Sequence, residues 1–564
     1  MAQNRDQDRV FPSSISKPST ASIQVTYSAD VQPFGGYSQL IAPTFDDPVA
    51  AYRRGTELRR ERRLAEALGA FDRAIALKPD YAEAYNSRGI VLASSDRPEE
   101  AVVAFDRAIA LKPDYAEAYN NRGIVLQDLK RLAEALASFD TAMARQINNA
   151  SVHNNRGTVL RELKRQEEAI SSFSEAIALK PDYAEAYYNR ATALHEIGRF
   201  DEAIADFDAA IAMRPDYADA YNNRGVILQD VKRLNEALAD FDRASALLPD
   251  FAEVHCNKAY CSLLMGKFEQ GWRLHEWRKK TQMPVGNRSL PGPLWLGREE
   301  VAGKTVFLHW EQGLGDTLQF CRYGKLLNAR GAKVVMSVQE PLYGLLGQLG
   351  PGVQVIHQDE APAAFDFHCP MMSLPLAFAT TLQNIPSEDR YLVADDRLRR
   401  QWSARLPPPT RPRIGLVWAG SKSHKNDRNR SMGLSALARL FDTGAHWISL
   451  QKEVRDGDAA ALQQYPHVFR CGDDLKDFSD TAAAIDLLDL VITVDTSVAH
   501  LAGAMGKPVW IMLPFNSDWR WLVDRDDSPW YPAVRLFRQH DPRSWDNVIS
   551  SLRAALESFL RSRS

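Results

Sequence analysis

Phe71-Asp-Arg-Ala-Ile-Ala-Leu-Lys-Pro79-Asp-Tyr-Ala-Glu-Ala-Tyr-Asn86 returns unchanged as Phe105 to Asn120, and this repetition decides the fold of the first half of the chain. The phenylalanine comes back at Phe139, Phe173, Phe207 and Phe241, each time after 34 residues. Prolines keep the same period at Pro79, Pro113, Pro181, Pro215 and Pro249, with Ile147 standing in for one of them. A small residue recurs earlier in each unit, as Gly55, Gly89, Gly123, Gly157, Ala191, Gly225 and Ala259. An alanine recurs later, as Ala67, Ala101, Ala135, Ala169, Ala203 and Ala237. A fixed period of this length marks stacked helical hairpins, none of which can bury an apolar face alone. The small residue and the alanine let two helices approach closely. Phenylalanine is expected to fill the groove between neighbouring hairpins. Proline ends the second helix, because its ring and missing N–H cannot continue the hydrogen-bond ladder.

The pattern resembles the tetratricopeptide repeat. It implies an α-solenoid, a tetratricopeptide superhelix, over residues 48–280, with six full hairpins and a degenerate seventh. In that last unit Gly271 and His275 replace the usual alanine and phenylalanine, and Phe268, Trp272 and Trp277 add aromatic bulk. An atypical terminal repeat is suited to capping or docking, so it is expected to pack on whatever follows. The first helices carry Asn121, Asn155, Asn189, Asn223 and Asn257, one per repeat, with Ser87 starting the series. This resembles the asparagine ladder with which O-linked N-acetylglucosamine transferases grip a peptide backbone. The resemblance implies a protein or peptide partner, since an amide both donates and accepts. The same side chains serve equally well to bond adjacent hairpins, and the sequence leaves both roles open.

After about residue 300 the helical period gives way to short apolar runs separated by helix-length segments. The strand candidates are 305–309, 333–338, 353–356, 413–418, 447–450, 490–494 and 509–513. Strands alternating with helices predict a parallel sheet covered on both faces. Pro407, Pro408, Pro409 and Pro412 predict a stiff linker over 398–413. The expected organisation is a disordered leader over 1–47, the repeats, and a linker over 281–300. Two Rossmann-like halves follow, over 301–400 and 411–545, and then a C-terminal helix over 546–564. Two such halves flanking a cleft form the GT-B architecture of many glycosyltransferases.

Three segments carry candidate chemistry. Glu311-Gln-Gly313-Leu-Gly315-Asp316 follows the first strand, where a glycine-rich turn lets a ligand approach the backbone. The loop after the first strand of the second half, Trp418 to Met432, holds Lys425 and Arg430 among several basic residues suited to an anionic diphosphate. The third is Asp495-Thr496-Ser497-Val-Ala-His500, followed by Gly506-Lys-Pro508, at a strand end that leads into a helix. Helix starts of this kind bind phosphate through free N–H groups and the helix dipole. Together these segments resemble the heptosyltransferase-type glycosyltransferases, with kinship to the O-linked N-acetylglucosamine transferases. The resemblance implies that Thr496, Ser497 and His500 contact the diphosphate of a nucleotide-sugar, assisted by Lys425 or Arg430 and by the Gly313–Gly315 turn. It makes Asp316 the base that activates an acceptor hydroxyl. Ser497 stands where that family usually has glycine. The repeats, which it lacks, make a protein acceptor more natural than a lipopolysaccharide. Trp519, Trp521 and Trp530 are candidates for stacking on a sugar or base, or for packing.

Composition narrows the alternatives. Net charge is −3 and hydrophobic residues make up 45% of the chain, so nothing electrostatic points to nucleic acid. The five cysteines lack paired spacing and no histidine or cysteine cluster has metal-ligand spacing, so neither disulfide framework nor metal cofactor is expected. No apolar run is long enough for a membrane span, and a cytoplasmic location is expected. A dehydrogenase is disfavoured: the third glycine of a dinucleotide fingerprint is replaced by Leu318, and Val338 and Gln339 stand where an acidic residue is needed. The leading expectation is an enzyme that glycosylates a protein held by the repeats. The alternative is a non-catalytic repeat scaffold that carries a degenerate glycosyltransferase domain.

Overall fold

The computed structural model describes residues 47–145, 149–281, 290–424, 426–542 and 544–563. The expected disordered leader (apart from Asp47), Ile147, residues 282–289 of the expected linker and Lys425 lie outside the described residues. The chain divides into two compact units, the first ending at Val231 and the second running from Lys232 to Ser564.

In the first unit, helices alternate with short turns from Pro48 to Asp230. The opening helix of each pair has 13 residues, as in Ala82–Ser94 and Ala116–Asp128. The closing helix has 13 or 14, as in Pro98–Leu111 and Leu132–Ala144. The turn inside each hairpin passes through one residue of positive φ: Arg62, Asp96, Lys130, Lys164 and then Gly198. Only the last is glycine, so the turn is held by the helices it joins rather than by local preference. An arginine entering the second helix then pairs with a glutamate three residues on, as Arg97 does with Glu100 at 2.7 Å.

The phenylalanines are buried, but their place differs from expectation. The rings of Phe71, Phe105, Phe139 and Phe173 each lie inside their own hairpin, against the glycine 16 residues earlier. A Cβ added to Gly89 would come within 2.6 Å of Phe105, one on Gly123 within 2.7 Å of Phe139, and one on Gly157 within 2.6 Å of Phe173. The small residue is therefore the seat of the ring, and contact between hairpins falls to the apolar residues around the pair, among them Leu126, Val152 and Leu160.

The second unit begins with the helices Leu234–Leu247, Ala252–Leu264 and Phe268–His275, and then holds two sheets. The strands of the first are β1 (Thr305–His309), β2 (Lys333–Val338), β3 (Val353–His357) and β4 (Phe367–Pro370), in the order β3-β2-β1-β4. The second contains β5 (Arg413–Val417), β6 (His446–Ser449), β7 (Phe469–Arg470), β8 (Leu490–Val494), β9 (Val509–Leu513) and β10 (Val534–Arg538), in the order β10-β9-β8-β5-β6-β7. Every pairing between these strands is parallel. Both β5 and β8 are buried throughout, as central strands of a parallel sheet covered on both faces are.

Three expected boundaries move. The stretch before β1 is no spacer: Leu294 bridges to His368, and Trp295 is buried and donates to the Glu299 carbonyl at 3.1 Å. The proline-rich linker begins as a helix, Asp396–Arg405, whose buried Trp402 donates to Asp480 at 2.9 Å. That bond fastens it to the helix Phe478–Asp486. The last hairpin is built into the second unit: Trp272 donates to the Thr380 carbonyl at 3.0 Å, and Arg278 pairs with Glu311 at 2.7 Å. The helix Asp546–Arg561 closes the core of the second sheet through Val548, Ile549, Leu552 and Leu556.

Candidate functional site

Ligands of open parallel sheets bind beyond the carboxyl ends of strands, where the strand order reverses. In the first sheet that point lies between β1 and β4, and in the second between β5 and β8. The Gly313–Asp316 turn follows β1, the Ser421–Arg430 loop follows β5, and Asp495–His500 follows β8. All three line one cavity of about 150 Å³, together with Asp518, Arg520 and Tyr260.

The turn after β1 is held from below. Buried Arg278 pairs with Glu311, donates to Ser373 at 2.8 Å and pairs with Glu276 at 2.7 Å. Asp316 heads the short helix Leu314–Phe320, and its Oδ2 accepts from the Gly313 N–H at 2.8 Å. Its other oxygen is paired with the buried guanidinium of Arg520. That guanidinium also donates to Gln319 at 2.6 Å and Asp518 at 2.9 Å, and lies over Trp519. Burial opposes the charge on Arg520, and the attraction of Asp518 and Asp316 outweighs it. Gly315 faces His500: a Cβ there would lie 2.8 Å from His500 Cδ2 and 3.4 Å from Nε2.

In the loop after β5, Arg430 donates through one nitrogen to the Asp495 carbonyl at 2.9 Å, while its Nε is buried without a partner among the described residues. Gly420 leaves room for this guanidinium, since a Cβ there would meet it at 2.6 Å. His424 also lines the cavity, and its imidazole is taken down to about 4 by burial and the charge of Arg430. After β8, Thr496 stands at the N-cap of the helix Ser497–Ala504 yet makes no side-chain cap bond; its hydroxyl lies 3.3 Å from that of Thr493. Asp495 is pushed up to about 6 by burial and by the neighbouring Asp518.

His500 is buried beside this cavity. Burial first, and then the charges of Arg520, Arg322 and Arg430, hold its pKa well below the usual range, so it is neutral. A charged imidazole facing phosphate is therefore not its resting state. Its ring stacks on Trp521 with centroids 5.4 Å apart, and Nδ1 lies 2.9 Å from the Tyr531 hydroxyl. Trp519, Trp521 and Trp530 are buried, so they pack rather than offer a stacking face. Trp272 stands edge-on to Trp519 at 5.1 Å.

The asparagine series is put to mixed use. Asn121 donates to Asn86 at 3.1 Å, Asn189 to Asn154 at 2.9 Å and Asn223 to the Tyr188 hydroxyl at 2.8 Å, each bond tying one hairpin to the one before. Asn223 and Asn257 are buried, so neither is open to a peptide in this arrangement. Asn121, Asn155 and Asn189 stay partly exposed.

Arg520, Asp518, His424 and Tyr260 complete the cavity without having been singled out from the sequence. Arg520 and Asp518 lie in the irregular stretch after β9, where no period or motif marks them. Tyr260 sits in the last opening helix, where the repeat pattern reads it as packing.

Models of the tetratricopeptide repeat match residues 52–150 and 157–247 in overlapping stretches. The chain carries tetratricopeptide repeats. It is similar to Protein FlbA of Caulobacter vibrioides, at 27% identity over 54% of this chain and 55% of that protein. The chain thus spans about half the length of the curated relative it matches. Similar solved structures include YrrB, titled a TPR protein with an unusual peptide-binding site (29% identity, 33% of this chain, 95% of that one, TM-score 0.30). Another is a tetratricopeptide repeat protein from Parabacteroides merdae (15% identity, 42% of this chain, 93% of that one, TM-score 0.36). Among the described residues, no helix is long and apolar enough to cross a membrane.

Proposed function

We propose that the α/β region is a GT-B glycosyltransferase of two Rossmann-like halves, moving a sugar from a nucleoside diphosphate donor to a hydroxyl of a protein held by the repeats. The observation that carries this reading is the convergence of loops from both strand-order reversals on one cavity. There Arg430 keeps a buried N–H unsatisfied, and the start of the helix Ser497–Ala504 offers main-chain N–H groups that Thr496 leaves uncapped. A diphosphate satisfies both, through a charge-assisted bond to the guanidinium and bonds to the helix start. Thr496 and Ser497 add hydroxyl donors, and Gly313 and Gly315 let the sugar approach the backbone. The heptosyltransferase-type motifs support the same assignment. No metal or cofactor enters this reading. The repeats supply the protein partner, for which Asn121, Asn155 and Asn189 are the accessible amides.

Thermal denaturation against a panel of UDP-, GDP-, ADP- and dTDP-sugars tests the donor. A stabilising shift that Arg430→Ala abolishes is expected. No shift with any of them would leave the scaffold reading in possession.

A further inference from the structure

We infer that a small cavity beside the first is a subsite for an uncharged, hydroxyl-bearing arm of the donor sugar, recognised by Gln312 and His275. The subsite rests on the glycosyltransferase reading and sets which sugars the protein accepts.

This cavity measures about 20 Å³ and shares two walls, Tyr260 and Arg520, with the cavity at the strand ends. Space of that order holds one water-sized group, which needs about 10–15 Å³. A hydroxyl or hydroxymethyl fits, and a bulkier substituent does not. Leu263, Met372 and Trp519 give it apolar walls, which disfavour a charged occupant. Its polar lining is unsatisfied. Gln312 and His275 are 3% and 9% exposed, and Gln312 Nε2 and His275 Nδ1 have no hydrogen-bond partner among the described residues. Buried polar groups are costly to leave unpaired, so two of them around one cavity point to an occupant that bonds to both.

A hydroxyl is such an occupant. Its oxygen accepts from the Gln312 amide, and it donates to the imidazole or accepts from it according to the tautomer. Phosphate is a poor fit. Burial, and then the charge of Arg278, hold His275 neutral, and the Arg520 guanidinium is taken up by Gln319, Asp518 and Asp316. The backbones that present the two side chains are fixed. The Gln312 carbonyl accepts from Gln339 at 2.8 Å, and the His275 carbonyl from Arg278 at 3.1 Å.

The repeats supply an internal comparison. His275 stands where six earlier copies have phenylalanine, from Phe71 to Phe241, and Tyr260 stands where they have Ile90, Ile124, Thr158, Thr192 and Val226. An unpartnered imidazole is a poor filler for a buried apolar position, so the exchange serves something other than packing within the hairpin. Gln312 immediately precedes the glycine turn on which the sugar is placed, and Arg520 pairs with Asp316 at the far end of that turn. The small cavity therefore adjoins the sugar and not the diphosphate end at Arg430.

Calorimetry on the full chain tests this with UDP and UDP-glucose, GDP and GDP-mannose, ADP and ADP-glucose, or dTDP and dTDP-glucose, taking a pair whose nucleotide binds the wild type. His275→Phe restores the ring of the earlier repeats, and Gln312→Leu removes the amide. Affinity for the sugar nucleotide should fall about fivefold or more in either variant, while affinity for the bare nucleotide holds within about twofold. Of the monodeoxy analogues of that sugar, one should bind the wild type as weakly as the parent binds Gln312→Leu, and lose nothing further in the variant. Unchanged affinity for the sugar nucleotide would overturn the subsite, leaving the cavity to a structural water or to the hydroxyl of the acceptor. Parallel loss of affinity for the bare nucleotide would overturn it too, by making both side chains mere supports of the larger cavity. Should His275→Phe not fold, Gln312→Leu decides alone. If no nucleotide binds the wild type, the glycosyltransferase reading itself fails. A protein that binds the nucleotide and is indifferent to both substitutions loses only the subsite.

Discussion

The seating of each phenylalanine on its own hairpin's glycine can be tested with a double-mutant cycle at Gly123 and Phe139. A methyl on Gly123 would stand 2.7, 2.8 and 3.0 Å from three ring carbons of Phe139, so the ring or the helix must shift. Overpacking of this kind costs about 1–3 kcal/mol, while alanine gains about 1 kcal/mol over glycine inside a helix. Gly123→Ala alone should therefore destabilise by about 0–2 kcal/mol. Phe139→Ala alone empties a fully buried site and should cost about 3–5 kcal/mol. With the ring gone, Gly123→Ala meets no clash and keeps its propensity gain, so it should stabilise by about 1 kcal/mol. The two effects of the same substitution thus differ by about 1–3 kcal/mol, which is the overpacking term itself. Because stacked repeats open locally, hydrogen exchange in the helices Ala116–Asp128 and Leu132–Ala144 of the full chain is the suitable assay. A Gly123→Ala effect of equal size in both backgrounds would refute the seating and return the ring to the groove between hairpins.

Two further outcomes follow from buried charge. Burial alone would raise the Glu276 carboxyl, but Arg278 and Lys279 outweigh it and take it down to about 2. Because this value lies below the ordinary 4.5, the pair stabilises the second unit above that pH and the contribution, about 3 kcal/mol at most, is lost as pH falls towards 2. Acid unfolding followed by tryptophan fluorescence should show that decline in the wild type and a flatter one in Glu276→Gln. Asp495, pushed up to about 6 by burial and Asp518, bears on ligand binding instead. Protonating it removes a negative charge from the cavity, so an anionic nucleotide should bind more tightly as pH falls from 7 to 5.5. Calorimetry in buffers of different ionisation enthalpy should register proton uptake on binding, and Asp495→Asn should abolish both signs. Affinity that ignores pH over this range counts against a diphosphate beside Asp495.

The parts of the fold legible in the sequence are those that obey a period or form an unbroken apolar run. The hairpins followed from a 34-residue step, and β1, β2, β8 and β9 occupy the residues expected of them because buried parallel strands are apolar on both faces. The strands that escaped reading are short or mixed. The two residues of β7 are too few to show a pattern, Pro370 breaks the signal of β4, and β10 alternates apolar residues with Arg535 and Arg538 at the edge of its sheet. The site divides in the same way. Gly313, Asp316, Arg430, Thr496, Ser497 and His500 lie in the segments that follow β1, β5 and β8, where motif and strand pattern together draw attention to them. Arg520 and Tyr531, which pair with Asp316 and His500, come from irregular chain that only the tertiary fold brings close.

The same distinction explains why the unit boundary falls inside the repeats. By sequence, the last hairpin is a worn copy of its predecessors, with Gly271 and His275 in place of alanine and phenylalanine. Gly271, in the place of the usual alanine, leaves room for Leu263 of the preceding helix, whose side chain stands 2.6 Å from where a Cβ would be. The aromatic bulk that would serve a seventh repeat turns outward: Trp272 and Phe268 pack on Trp519 and Trp530 of the α/β region. Arg278 then spends its charge on Glu311, two residues before the glycine turn that faces His500. From the opening helix of the same hairpin, Tyr260 lines the cavity that Asp316 and His500 share. A tolerant reading of the repeat would treat this unit as drift, but Arg278 and Trp272 fasten it to the chain that carries the glycine turn.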